Sequence, residues 1–127
     1  MKKQKRILIV EDEVAIRQLC QRVLTSEGFE VDVAADGKVA QNMMEKRQYD
    51  LYLIDIRLPV LDGKELYRWL QEAYPDNAQR VVFTTGSVMG EDTQSFSQSS
   101  GRQVLTKPFT PEELKTKVRQ ALKVMGG

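Results

Sequence analysis

The chain alternates short apolar runs with amphipathic stretches along its whole length, and that alternation leaves few folds open to it. Ile7-Leu8-Ile9-Val10 and Leu51-Tyr52-Leu53-Ile54 are continuously apolar, as strands buried on both faces of a sheet must be. Val81-Val82-Phe83 and Val104-Leu105 are two further runs. Phe29, Val31 and Val33 alternate with Glu30 and Asp32, the pattern of a half-exposed edge strand. Helical spacing links Ile16, Leu19, Cys20, Val23 and Leu24, then Val39, Ala40, Met43 and Met44, then Leu66, Trp69, Leu70 and Ala73. It recurs in Leu114, Val118, Ala121, Leu122 and Met125 after Thr110-Pro111-Glu112-Glu113, which has a capping residue, a proline at the first helical position and a capping-box glutamate. Glu91 to Ser100 is the weakest helix, polar throughout except for Phe96. Five strands and five helices in alternation predict an α/β fold with a doubly wound parallel sheet in the order 2-1-3-4-5.

Composition narrows the function classes. A chain of 127 residues fits one domain, residues 1–127. The net charge of +1 gives no global attraction to nucleic acid or acidic membranes, and Lys2-Lys3-Gln4-Lys5-Arg6 is a solvated lead-in to the first strand. No apolar stretch is long enough to span a membrane, and no signal peptide is expected. The single cysteine, Cys20, lies on an apolar helix stripe, which fits a core residue in a reducing, cytoplasmic setting. With no histidine, histidine-based catalysis and a structural zinc cluster are both excluded.

Chemistry concentrates where the strands end. Glu11 and Asp12 follow the first apolar run, Asp55 the third, Thr85 closes the fourth and Lys107 follows the fifth. Parallel strands bring these five side chains to one edge, where open α/β sheets bind ligands. Clustered carboxylates repel one another, and a hard divalent cation removes that cost, with magnesium the natural choice. Asp12 and Asp55 could bind it directly and Glu11 through water. A carboxylate beside magnesium can also act as a nucleophile and take up a phosphoryl group. Lys107 supplies compact positive charge for the transferring oxygens, and the Thr85 hydroxyl can donate to one of them. Lys107-Pro108, in a tight loop after a strand, is expected to be cis. Taken singly, Asp12 could be a helix cap and Asp55 a polar strand end.

In order and spacing, Ile7-Leu8-Ile9-Val10-Glu11-Asp12-Glu13, Leu53-Ile54-Asp55-Ile56-Arg57-Leu58-Pro59, Asp62-Gly63, Thr85-Gly86 and Lys107-Pro108-Phe109 resemble the receiver domain of two-component response regulators over essentially the whole chain. The resemblance implies a flavodoxin-like fold with Asp55 as phosphoacceptor. It implies magnesium held by Asp12, Asp55 and the backbone carbonyl of Arg57, with Glu11 acting through water, and Thr85 and Lys107 on the phosphoryl group. It implies a phosphohistidine donor on a histidine kinase or phosphotransfer protein, which must be another molecule or domain, and an unspecified downstream protein. Such a domain catalyses its own phosphorylation and turns over no separate substrate. Arg57 and Ser87 border the site in relatives and tune phosphoryl lifetime. Val104 stands where many relatives carry a switching aromatic residue, and with Thr85-Gly86 this resembles receivers appended to hybrid sensor kinases as much as free-standing regulators. A docking module that no longer uses phosphate is the alternative. A phosphatase-like enzyme is disfavoured, because Arg57 stands where a second acid is needed. DNA binding within the chain is not expected.

Overall fold

The computed structural model describes residues 4–86 and 91–125, with backbone alone for residues 91–93. Five parallel strands form one sheet: β1 Arg6–Val10, β2 Glu30–Ala34, β3 Leu51–Asp55, β4 Val81–Thr85 and β5 Gln103–Thr106, in the order β2-β1-β3-β4-β5. The predicted order is the observed one. Long helices follow the strands: α1 Val14–Ser26, α2 Gly37–Lys46, α3 Gly63–Ala73, α5 Glu91–Ser100 and α6 Pro111–Val124. A sixth, the short α4 Pro75–Ala78, was not expected. Proline breaks α3 at Tyr74 but suits the first position of a new turn, which Ala78 closes by donating its N–H to the Tyr74 carbonyl.

The period-two alternation of the strands divides the core in two. Leu8, Val10, Tyr52, Ile54, Val81 and Phe83 face α2, α3 and α4, where they meet Ala40, Met44, Leu66, Tyr67, Leu70 and Ala78. Ile7, Ile9, Leu51, Leu53, Val82 and Leu105 face α1 and α6, meeting Cys20, Val23, Leu24, Leu114, Val118, Ala121 and Leu122. Cys20 is a core residue, as expected, and burial pushes its thiol up to about 12. Two helix faces differ from the expected ones. In α3 the buried stripe is Leu66, Tyr67 and Leu70. Ala73 is exposed, and Trp69 is half-buried edge-on to Tyr74. In α2 Val39 points outward, 43% exposed.

Edge strand β2 is guarded by charge. Glu30 pairs with Arg6 and Arg47, and Asp32 takes Arg47 and the Tyr49 hydroxyl. Such a ladder opposes pairing of this edge with another chain. Opposite, α5 reaches the body through Phe96, which stands edge-on to both Tyr67 and Phe83.

The start of α3 positions the end of β3. Asp62 caps the helix by accepting from the Glu65 N–H, and Gly63 donates its N–H to the Ile56 carbonyl. A Cβ on Gly63 would stand 2.2 Å from the Asp55 carbonyl oxygen, a backbone atom that cannot step aside. Gly63→Ala is therefore expected to cost about 3 kcal/mol in urea unfolding, at the upper end for overpacking, because strand and helix must separate to admit the methyl group. A midpoint equal to the parent's would refute this close packing.

Candidate functional site

The site lies at the carboxyl ends of β1, β3, β4 and β5. Glu11 follows β1, its N–H bonded to the Ala34 carbonyl, and it is almost fully buried. Asp55 ends β3 with Thr84 beside it on β4, and Thr85 is paired with Thr106 of β5. The Lys107 N–H donates to the Thr85 carbonyl at 2.7 Å, so the loop leaving β5 is tied to the end of β4. Lys107–Pro108 is cis, as expected. Thr110 then opens α6 with a complete capping box.

At the centre is the Lys107 ammonium. Its Nζ stands 2.7 Å from Glu11 Oε1, 2.7 Å from Asp55 Oδ2 and 3.4 Å from Glu13 Oε1. An ammonium carries three N–H donors, and three carboxylates surround it. Burial would lower the Lys107 ammonium, but its hydrogen bonds to Asp55 and Glu11, and their charges, hold it above the ordinary lysine range. Burial pushes the Glu11 carboxyl up to about 7, and the Asp55 charge adds to this against the opposing pull of Lys107. The other Asp55 oxygen accepts the Arg57 N–H at 3.1 Å, so the first residues of the loop after β3 wrap the carboxylate.

Of the expected residues, the structure gathers Glu11, Asp12 and Asp55 so that one oxygen of each lies within 4.8 Å of the others. Asp12 is exposed at the rim. Thr85 is buried at the strand end, and the Arg57 side chain is exposed outside the cluster. Ser87 lies outside the described residues. Two residues were missed. Glu13 reaches Lys107 across the mouth, a role foreshadowed only by the three successive acids Glu11-Asp12-Glu13. Arg17 donates to the backbone carbonyls of Glu11 and Asp12 and so fixes the turn that presents both acids. No spacing rule singles it out.

The donor set is hard, anionic and only part-neutralised by one lysine, which suits an oxygen-seeking divalent cation. Without metal, the folded chain holds the Glu11 proton up to about 7, whereas an ordinary glutamate releases it near 4.5. The folded state thus binds the extra proton between those values, and its stability falls as pH rises through them. Glu11→Gln is expected to gain in melting temperature relative to the parent between about pH 5 and about pH 8 in chelator-treated buffer. A difference constant with pH would show that Glu11 is ionised throughout.

Comparison with known proteins agrees with this geometry. The family model described as the response regulator receiver domain matches residues 7–119. The chain is 36% identical over 108 residues to the transcription factor SKN7 of Saccharomyces cerevisiae, covering 85% of this chain and 17% of that protein. It is 32% identical over 124 residues to the alkaline phosphatase synthesis transcriptional regulatory protein PhoP of Bacillus subtilis, covering 94% of this chain and 49% of that one. It therefore spans less than half the length of these two relatives. The crystal structure of a CheY-like response regulator receiver domain protein from Methanospirillum hungatei superposes with a TM-score of 0.88 at 30% identity, covering 98% of each chain. With its sheet order, its acidic strand ends and its lysine all in place, the chain belongs to the response regulator receiver family of two-component signalling.

Proposed function

We propose that Asp55 is the phosphoacceptor of this receiver domain and that the domain catalyses its own phosphorylation. The observation that supports this most is the Lys107 ammonium held 2.7 Å from Asp55 at the end of the sheet. An Asp55 oxygen forms the new bond to phosphorus as the donor's leaving group departs with the electron pair of the old one. Lys107, already desolvated and aimed at that carboxylate, receives charge on the transferred oxygens without rearrangement. Thr85, at the neighbouring strand end, is the hydroxyl on the phosphoryl group. Glu11, Asp12, Asp55 and the backbone carbonyl of Arg57 would hold magnesium, Glu11 through water. The ion supplies further neutralisation of the crowded oxygens.

The phosphodonor in this reading is a phosphohistidine on a histidine kinase or phosphotransfer protein in the cytoplasm, and because this sequence has no histidine that donor is another molecule or another domain. The whole of residues 1–127 acts as one receiver that switches an output surface for a downstream protein. The two curated relatives named above are transcription factors or regulators, so attachment to a hybrid sensor kinase rests on Thr85-Gly86 and Val104 alone. A phosphate-independent docking role draws support from one observation. Val104, paired with Phe83 between β4 and β5, packs against the core, and no aromatic residue occupies its position.

Intact mass spectrometry after incubation with magnesium and acetyl phosphate separates these readings. The parent is expected to gain one phosphoryl group. Asp55→Asn, or parent treated with EDTA, is expected to gain none, and an unmodified parent would leave only the docking role. Once the adduct is in hand, Arg57→Ala is expected to change its lifetime severalfold: the backbone N–H of residue 57 holds Asp55 in both proteins, and what the variant removes is the exposed cationic side chain that this bond places beside the acceptor. Equal decay of parent and variant would show that the Arg57 side chain has no part in the lifetime.

A further inference from the structure

The N-terminus of α1 breaks a local rule that the other long helices with described caps obey. Asp36, Asp62 and Thr110 each accept a backbone N–H from the first turn of their helices. At α1 the N-cap is Glu13, a residue type outside the favoured set, and its side chain makes no capping bond. Its backbone behaves as a cap should, with extended dihedrals and a carbonyl that accepts from the Arg17 N–H. Only the side chain is diverted. It extends to Lys107, 94 residues on in sequence, and places Oε1 3.4 Å from Nζ. A serine or aspartate would serve the helix better but is too short to reach the lysine. Helix stability and the lysine contact therefore compete at this position, and the residue present serves the lysine.

The placement has two chemical consequences. Glu11 and Asp55 hold Lys107 from below and are buried, whereas the Glu13 side chain is 60% exposed and stands on the solvent side. It therefore draws the ammonium toward the mouth. It also sets a negative charge where a phosphodonor, itself an anion, must enter. We propose that Glu13 is a positioning and donor-selecting residue of the Asp55 site: it restrains Lys107 and raises the barrier to small, highly charged phosphodonors. This inference rests on the phosphoacceptor reading above.

The test compares Glu13→Gln, Glu13→Ser and the parent, each with magnesium, using acetyl phosphate and phosphoramidate as donors. The two donors pass the same phosphoryl group to Asp55. The P–O bond to acetate breaks in one case and the P–N bond to ammonia in the other, each leaving group keeping the electron pair. Phosphoramidate carries one negative charge fewer near neutral pH. Removing one exposed charge several ångströms from the reacting centre is expected to speed modification by acetyl phosphate about three- to tenfold at low ionic strength, less with phosphoramidate, and little in high salt. Glu13→Ser restores a capping hydroxyl, so it is expected to raise the melting temperature while showing the same acceleration. A role confined to helix structure would not produce that pairing. Rates within twofold of the parent with both donors, or an equal gain with both, would overturn the proposal while leaving Asp55 the acceptor. Absence of any adduct on the parent would overturn the phosphoacceptor reading and this one with it.

Discussion

One buried ammonium organises the functional end of this molecule. Lys107 sits between carboxylates delivered by β1 and β3, on a loop that leaves β5 and is tied to the end of β4. An unpaired charge is costly at that depth, and the pairing offsets the lost hydration of Lys107 but only part of that of Glu11. What the pairing imposes is geometry. The lysine satisfies both acids only if β1, β3 and β5 end level with one another, so sheet order and register are requirements of the site as much as of the core. The same acids are available to a divalent ion, and burial makes the ionised form of Glu11 costly.

Around this centre the backbone is held at close range. The Ile56 carbonyl receives the Gly63 N–H, the Arg57 N–H meets Asp55, and Arg17 holds the carbonyls of Glu11 and Asp12. These bonds fix the turns that follow β1 and β3 before any ligand arrives. Preorganisation of this kind lets a small site do chemistry without reorganising its dipoles.

Most of this frame was legible in the sequence because it rests on patterns that a linear reading can count. Continuous apolar runs mark buried strands, and an acid at the end of each of two central runs can come together only at one edge. Thr110 to Glu113 announces the start of α6 because capping is a local interaction. The features that escaped depend on partners remote in the chain. Tyr67 lies one residue after Leu66 and has no better helical phase than Trp69. It is buried because Phe83 and Phe96 receive it, and those rings arrive from β4 and α5. Glu13 reads as one more solvated acid until the fold brings Lys107 across to it. Val39 fits the apolar stripe of α2, yet the stripe is wider than the surface the sheet offers. The turn at Pro75–Ala78 is too short for periodicity to register.

The aromatic contact of Phe96 bears on how motion is distributed in the fold. A helix whose ten residues are nearly all polar gains little from lying against the sheet except through this ring, which meets Tyr67, Phe83 and the flanking cations of Lys64 and Arg68. Burial of one phenyl side chain is worth roughly 2 kcal/mol, well short of the free energy that holds a domain together. Local opening of α5 is therefore expected to cost less than unfolding of the whole domain. Loosening of this helix would leave the sheet and its acidic edge assembled, because both core clusters are built on the strands, and a displacement of Phe83 or Tyr67 would be felt at α5 through this ring.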